Sequence, residues 1–470
     1  MTRRISTDLC VIGAGSAGLS VAAGAVQLGR RVVLIEKGEM GGDCLNYGCV
    51  PSKALIAAAS HAASIKEARK FGVAAGEPSI DFAAVMEHVR GVIAAIAPQD
   101  SQERFEGLGV TVIRAAAAFT GPREVAAGDA LIRAKHFVIA TGSRAIVPPI
   151  DGLASVPYFT NETIFANCVR PEHLIVIGGG PLGAELAQAH RRLGARVSII
   201  ETSTLLGKED PEAVDVVRRA LLDDGVALYE QQRLTSVRPE NGAIKVALSG
   251  QFLTGSHLLV AAGRRTNIDG LGLDKAGVRV SERHIETNAR LQTTNPRIYA
   301  AGDAAGGLMF THVAGDHAST VIRNILFKMP ATRRDHLAPR ATYTDPEIAA
   351  VGLSLADAIA KDTKARAVRW DFAKNDRAET ERDTAGFARV VADRNGRVLG
   401  ATIVGKGAGD MIHLFALAVA NRMKMSAFTA YIAPYPTRSE AAKRIGGQWF
   451  TPALFSARTR ALVRLLAAFD

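Results

Sequence analysis

An α/β fold carrying two Rossmann-like dinucleotide-binding domains is predicted by three observations. A strand, a glycine turn, a helix and a second strand ending in an acid occur twice along the chain. The 470 residues exceed what one hydrophobic core supports, so about three domains are expected. Hydrophobic residues at 48%, charged residues at 22% and 45 glycines describe large cores and many tight turns, not a disordered or fibrous chain.

The first unit runs from the strand-like Asp8 to Ile12 through Gly13-Ala14-Gly15-Ser16-Ala17-Gly18 into an alanine-rich helix ending near Leu28. Its second strand, Arg31 to Ile35, ends at Glu36. Gly13, Gly15 and Gly18 let backbone approach a pyrophosphate, the helix N-terminus attracts its charge, and Glu36 can accept hydrogen bonds from a ribose hydroxyl. The second unit repeats each part: Leu174 to Ile177, Gly178, Gly180 and Gly183 in the turn, and the strand Arg196 to Ile200 ending at Glu201. Two complete copies in one chain imply a flavin and a nicotinamide, with hydride transfer between them. Glu201, followed by Thr202, Ser203 and Thr204 without an arginine, favours NAD(H) over NADP(H), because a 2′-phosphate would meet a carboxylate. Lys208 is the nearest cation able to serve such a phosphate instead.

The net charge of +11 comes without a long Lys/Arg block and with few aromatics, which excludes a nucleic-acid partner and suits anionic dinucleotides. Four cysteines, Cys10, Cys44, Cys49 and Cys168, are too few and too unevenly spaced for a secreted disulfide framework. A cytoplasmic protein is expected. The apolar run from Leu9 to Val26 is broken by glycines and belongs to the first nucleotide unit, not to a signal peptide.

Gly41-Gly42-Asp43-Cys44-Leu45-Asn46-Tyr47-Gly48-Cys49-Val50-Pro51-Ser52-Lys53 follows Glu36 so closely that its cysteines must lie near the first dinucleotide. A zinc reading is short of ligands, since no second Cys/His pair with suitable spacing follows, so no metal site is expected. A redox pair beside a flavin fits the glycines and Lys53, with inert packing as the alternative. Three further glycine turns, Ala140-Thr141-Gly142-Ser143, Ala262-Gly263-Arg264 and Ala300-Ala301-Gly302-Asp303, each follow strand-like residues and look like returns of the chain to a cofactor.

In this order the motifs resemble the pyridine nucleotide-disulfide oxidoreductases, the flavoprotein family of dihydrolipoamide dehydrogenase, glutathione reductase and mercuric reductase. Thr311-His312-Val313-Ala314 and Tyr343-Thr344-Asp345-Pro346-Glu347 extend the likeness over nearly the whole chain. The resemblance implies FAD contacts at Gly13, Gly15, Gly18, Glu36, Lys53, Thr141, Gly142, Ser143, Gly302, Asp303, Thr311 and His312. For NAD it implies Gly178, Gly180, Gly183, Glu201 and Gly263. It also implies that Cys49 lies against the flavin as the charge-transfer thiolate, that Cys44 is the exposed interchange thiol, and that Lys53 pairs with Glu185. The expected division is FAD binding by residues 1–149, nicotinamide binding by 150–267, an FAD-side region at 268–335 and a dimerisation domain at 336–470, working as a homodimer.

One departure is plain. The family's disulfide reductases carry His-Pro-Thr-x-x-Glu near the C-terminus, as acid/base across the dimer; here the run is Tyr435-Pro436-Thr437-Arg438-Ser439-Glu440. A phenol, with an ordinary pKa of about 10, cannot cycle protons at neutral pH as imidazole does. The expected catalytic set is thus Cys44, Cys49, Lys53, Glu185, Tyr435 and Glu440, and the acceptor is left open among a disulfide, a thiol-bound metal, a quinone or a protein. A flavin- and NADH-binding redox sensor is the alternative. The terminal segment from Leu454 to Phe469 sets arginines beside an apolar face, which reads as a helix docked on the dimer or as a peripheral membrane contact.

Overall fold

The structure, a computed structural model, describes residues 3–469. The chain divides into two compact units, one of Met1–Ala68, Ala74–Thr202 and Ala227–Asp335, the other of Arg69–Val73, Ser203–Val226 and His336–Asp470.

A mixed seven-stranded sheet with a parallel centre and a parallel four-stranded sheet organise the first unit. The strands Arg3–Ile12 and Val32–Glu36 pair in parallel, with the helix Ser16–Gln27 as crossover. Ala130–Ile139 flanks Arg3–Ile12 on its other side, also parallel, and the ladder extends to seven strands. The second sheet is four parallel strands in the order Ala227–Tyr229, Arg196–Ile200, His173–Ile177 and His257–Val260. Parallel strands covered on both faces need continuous apolar runs. Leu9 to Ile12 and Leu174 to Ile177 supply them, all buried.

The glycines at the strand–helix turns are there for packing as much as for ligand access. A Cβ on Gly18 would stand 1.8 Å from the Gly13 carbonyl oxygen, and one on Gly183 would stand 2.0 Å from that of Gly178. Gly13 and Gly178 adopt positive φ, 105° and 110°, with a neighbouring strand's carbonyl against them. The turns at 142 and 263 also meet: Ser143–Ala145 and Arg264–Thr266 form an antiparallel two-stranded ladder.

The second unit is built on a five-stranded antiparallel sheet, ordered Arg340–Thr342, Glu347–Gly352, Val398–Gly405, Phe387–Ala392 and Arg366–Asp371. The helices Ala408–Ala420 and Ala441–Leu454 contribute Ile412, Phe415, Ile445 and Trp449 to its core. The helix Pro211–Asp223 belongs to this unit: Arg389 bonds Asp210 at 3.0 Å and also pairs with Glu212.

Replacing Gly18 with Ala forces the first helix off its strand. The Gly18→Ala protein is expected to lose about 1–3 kcal/mol of stability and to be purified with less flavin. Thermal unfolding and the flavin-to-protein absorbance ratio measure both, and an unchanged ratio with an unchanged melting temperature would refute the packing account.

Candidate active site

Cys49 is the first residue of the helix Cys49–Glu67, and Cys44 lies in the preceding short helix Gly42–Asn46. The two are free thiols, close enough for each to perturb the ionisation of the other. Cys49 also lies 3.4 Å from Thr311 Oγ1. Cys49 is exposed and Cys44 half-buried. Their proton affinities differ strongly. Cys44 first, then the Thr311 hydroxyl and the Lys53 charge, bring Cys49 down to about 6 against the opposing cost of burial. The same sulfur–sulfur interaction, with burial, pushes Cys44 far up. A reduced pair of this kind shares one proton: Cys49 is the thiolate and Cys44 its donor.

Lys53 follows one turn after Cys49. Its Nζ donates to Glu185 Oε2 at 2.7 Å, and the Glu185 side chain is only 4% exposed. Glu185 lies on the helix Pro181–Arg192, which opens at the second glycine turn. The expected pairing is therefore present, and it joins the thiol helix to the second nucleotide unit.

The residues expected on the flavin side form a connected network. Ser143 Oγ donates to Asp303 Oδ2 at 2.5 Å, and Arg264 donates through Nε to Ser143 Oγ at 2.7 Å. Arg264 also pairs with Asp43 at 3.1 Å, next to Cys44, and Asn161 donates to the same Asp43 oxygen at 2.9 Å. Burial lifts the Asp303 carboxyl above its usual range, against the lowering effect of Ser143. Gly302, at φ 63°, donates its amide to His317 Nδ1, which sets the tautomer: Nε2 carries the hydrogen and donates to Asp335 at 2.9 Å. Thr141 Oγ1 and the Gly142 carbonyl both bond the Asn267 backbone, and the Gly263 carbonyl accepts from Ile146. His312 stacks on Phe310.

Arg264, Asp43, Asn161, His317 and Asp335 are absent from the expected site. Arg264, as the residue after a glycine turn, and Asp43, inside the cysteine motif, carried a signal; Asn161, His317 and Asp335 carried none.

The two cradles fit dinucleotides. Gly15 and Gly180 cap their helices without any side-chain bond, a Cβ on Gly180 would meet nothing within 4 Å, and one on Gly15 only the Cα of Gly42 at 3.9 Å. Backbone can thus approach a pyrophosphate at both turns. Glu36 is held by the amides of Ala14 and Gly38 at 2.6 and 2.7 Å, and Glu201 by that of Gly179 at 2.7 Å. Each carboxylate stands over its turn, where a ribose of FAD or of a nicotinamide dinucleotide could be read. Among the described residues no group of three or more His, Cys, Asp or Glu side chains is arranged to hold a metal ion.

Within the second unit, Tyr435 is 67% exposed and donates its phenol to Asp376 Oδ2 at 2.8 Å. The Asp376 carboxylate holds the phenol above its ordinary range. Asn375 donates to the Thr437 carbonyl at 3.0 Å, so residues 375 and 376 grip the Tyr-Pro-Thr run at both ends. Glu440, expected to be catalytic, pairs with Arg444 at 2.7 Å.

Comparison with known proteins matches residues 7–318 to the pyridine nucleotide-disulphide oxidoreductase family and residues 338–445 to that family's dimerisation domain. The chain belongs to this family. Its members are FAD-dependent and use a pyridine nucleotide, so the chain is a flavoprotein oxidoreductase with a dimerisation domain. It is 36% identical to a mercuric reductase of Streptomyces lividans over 456 residues, 94% of this chain and 96% of the relative. A dihydrolipoyl dehydrogenase of Bacillus subtilis is 31% identical over 443 residues, 92% of this chain and 96% of that one. Among solved structures, a Cu(II) complex of the HOCl-induced flavoprotein disulfide reductase RclA from Escherichia coli superposes with a TM-score of 0.85 at 26% identity, covering 93% of this chain and 99% of that one. LpdA from Mycobacterium tuberculosis gives a TM-score of 0.86 at 26% identity, with 94% and 99% covered.

Because Cys44 ranks first among the causes, Cys44→Ala is expected to raise the Cys49 thiolate midpoint from about 6 toward the ordinary thiol range, and by more than Lys53→Met does. Alkylation rates of the reduced protein across pH 5 to 9, roughly the window separating the two midpoints, test this. Equal midpoints in Cys44→Ala and the unaltered protein would remove the shared-proton account.

Proposed function

We propose that the chain is an NADH-driven reductase that delivers two electrons through Cys49 and Cys44 to a soft, thiolate-binding metal ion such as Hg(II) or Cu(II). The observation that carries this reading is the pair itself, two thiols with one held as thiolate, combined with Tyr435 in place of the family's acid/base histidine. FAD, when bound, supplies the hydride-accepting ring that passes reducing equivalents from nicotinamide to the cysteine pair. The proposed division has FAD bound by residues 1–149 and 268–335, the nicotinamide by 150–267, and a homodimer formed through 336–470.

The chain's own residues have the following tasks. Glu36 and Glu201 accept from the two riboses, and Gly13, Gly15, Gly18, Gly178, Gly180 and Gly183 admit the pyrophosphates. Thr141, Gly142, Gly302 and Asp303 bind on the flavin side, where Ser143 and Arg264 hold Asp303 in place. Thr311 and Lys53 stabilise the Cys49 thiolate, and Glu185 holds Lys53. Cys44 and Cys49 bind the ion as thiolates, soft ligands suited to it.

Proton counting separates the acceptors. Reducing a disulfide to two thiols consumes two protons, which a nearby acid must deliver. Cys44 releases its proton to solvent when the ion binds; oxidising the Cys44 and Cys49 thiolates to their disulfide while Hg(II) goes to Hg(0), or two Cu(II) to two Cu(I), then transfers the same two electrons and delivers no proton to the product. A phenol that Asp376 keeps protonated is no handicap for the second reaction and a severe one for the first. The names of the S. lividans relative and of the RclA complex point the same way.

With the holoprotein, NADH oxidation is expected with Hg(II) or Cu(II) presented in excess thiol, and to vanish in Cys44→Ser and Cys49→Ser. Turnover with lipoamide or glutathione disulfide should be slow and should rise about 10-fold or more in Tyr435→His. Faster turnover of either disulfide than of both metals by the unaltered protein would overturn the proposal. For the nucleotide, Glu201→Arg should lower kcat/KM for NADH by about 10-fold or more, the loss of a charged hydrogen-bond acceptor being worth about 1.5–3 kcal/mol. The NADPH value should rise; an NADPH preference in the unaltered protein would reverse the assignment.

A further inference from the structure

The helix Ala457–Leu466 buries none of its residues. Leu462, Val463, Leu465 and Leu466 are 53–60% exposed, and Phe455 and Phe469, on either side of the helix, 63% and 82%. The helix is locally stabilised: its N-cap Ser456 accepts from the Thr459 amide, and Thr459 Oγ1 donates to the Ala453 carbonyl of the preceding helix. At about 100° per residue, Leu462, Leu465 and Leu466 fall in one arc of the helix with Val463 at its edge, while Arg460 and Arg464 lie opposite. Arg458 falls within the arc, where its stem can lie on the apolar surface and carry the guanidinium to the margin.

Charge narrows what can cover this face. From Ala441 to Phe469 the sequence has Lys443, Arg444, Arg458, Arg460 and Arg464 and no Asp or Glu. Of the flanking acids, Glu440 is paired with Arg444, and Asp470 lies outside the described residues. The match to the family's dimerisation domain ends at residue 445, before this helix begins. A second copy is a poor occupant, because two-fold pairing sets the patch against itself and leaves Arg458, within the arc, without a counter-charge. An anionic bilayer surface answers both features: it takes the apolar side chains between headgroups and offers counter-charge to the arginines.

We propose that the helix Ala457–Leu466 docks this protein onto membrane surfaces rich in anionic lipid, lying in the plane of the interface. It does not span: among the described residues no helix is long and apolar enough to cross a membrane. The inference stands independently of the acceptor proposed above.

The test is co-sedimentation of the full-length, flavin-loaded protein with vesicles of equal parts phosphatidylcholine and phosphatidylglycerol, against vesicles of phosphatidylcholine alone. Binding is expected to the first and not the second, with release by salt at about 1 M, where charges are screened beyond roughly 3 Å. Leu462→Asp with Leu466→Asp should weaken binding by about 10-fold or more, and Arg460→Gln with Arg464→Gln by several-fold. NADH-driven flavin bleaching should be unchanged in both, which separates this outcome from a failure of folding or of the reductase reading. The proposal is overturned if the unaltered protein stays in the supernatant with anionic vesicles, binds both vesicle types equally, or binds undiminished after the leucine substitutions. A drop in oligomer mass caused by those substitutions would name a second copy as the occupant and overturn it too.

Discussion

The first unit depends on the ion pair between Lys53 and Glu185. A carboxylate with a side chain 4% exposed is tolerated only with a charge-assisted partner, and Lys53 Nζ at 2.7 Å is such a partner. The pair spans 132 positions of sequence and brings the helix that begins at Cys49 to the helix that begins at the second glycine turn. The same ammonium contributes to holding Cys49 as a thiolate. Packing of the second glycine-turn helix and lowering of the Cys49 thiol thus share one cation, the charge that also compensates a buried acid.

A second constraint ties the cysteine loop to the flavin-side turns. Arg264 reaches Asp43 beside Cys44, and it reaches both the hydroxyl and the carbonyl of Ser143. Its planar fork allows these contacts at once, which a lysine could not reproduce. Ser143 in turn bonds Asp303, a carboxylate that burial alone would push toward its neutral form. His317, fully buried, supports the same turn from behind by accepting the Gly302 amide and donating to Asp335. The turn at 302 is therefore held on both sides by groups that have no task in electron transfer themselves.

The twin glycine units, the cysteine pair and the Lys53–Glu185 pairing were legible because each lies inside a motif whose spacing has a geometric meaning. Gly18 and Gly183, for example, are needed where a helix crosses a carbonyl at less than van der Waals distance. The network of Asp43, Asn161 and Arg264 was not legible, since its members lie 118 and 121 positions from their partners and spacing along a chain says nothing of such separations. His317 carried no signal in the sequence, because burial of a side chain depends on what packs over it. Glu440, expected in the catalytic set by motif, lies near Tyr435, and Arg444, one helical turn on, engages its carboxylate in a local i,i+4 contact that the motif does not encode.

Tyr435 draws these strands together. Its only O–H is given to Asp376, and Asn375 ties the following turn through the Thr437 carbonyl. What the phenol oxygen then presents outward is lone-pair density, not a proton. A group in that state can accept a hydrogen bond or contact an electrophile, but it cannot protonate a departing thiolate without breaking its bond to Asp376 and leaving two negative oxygens side by side. The second carboxylate near it, Glu440, adds to the same penalty. Proton delivery is thereby withheld by the arrangement of neighbours as well as by the residue type, and the proposed preference for acceptors that take electrons without protons rests on that arrangement.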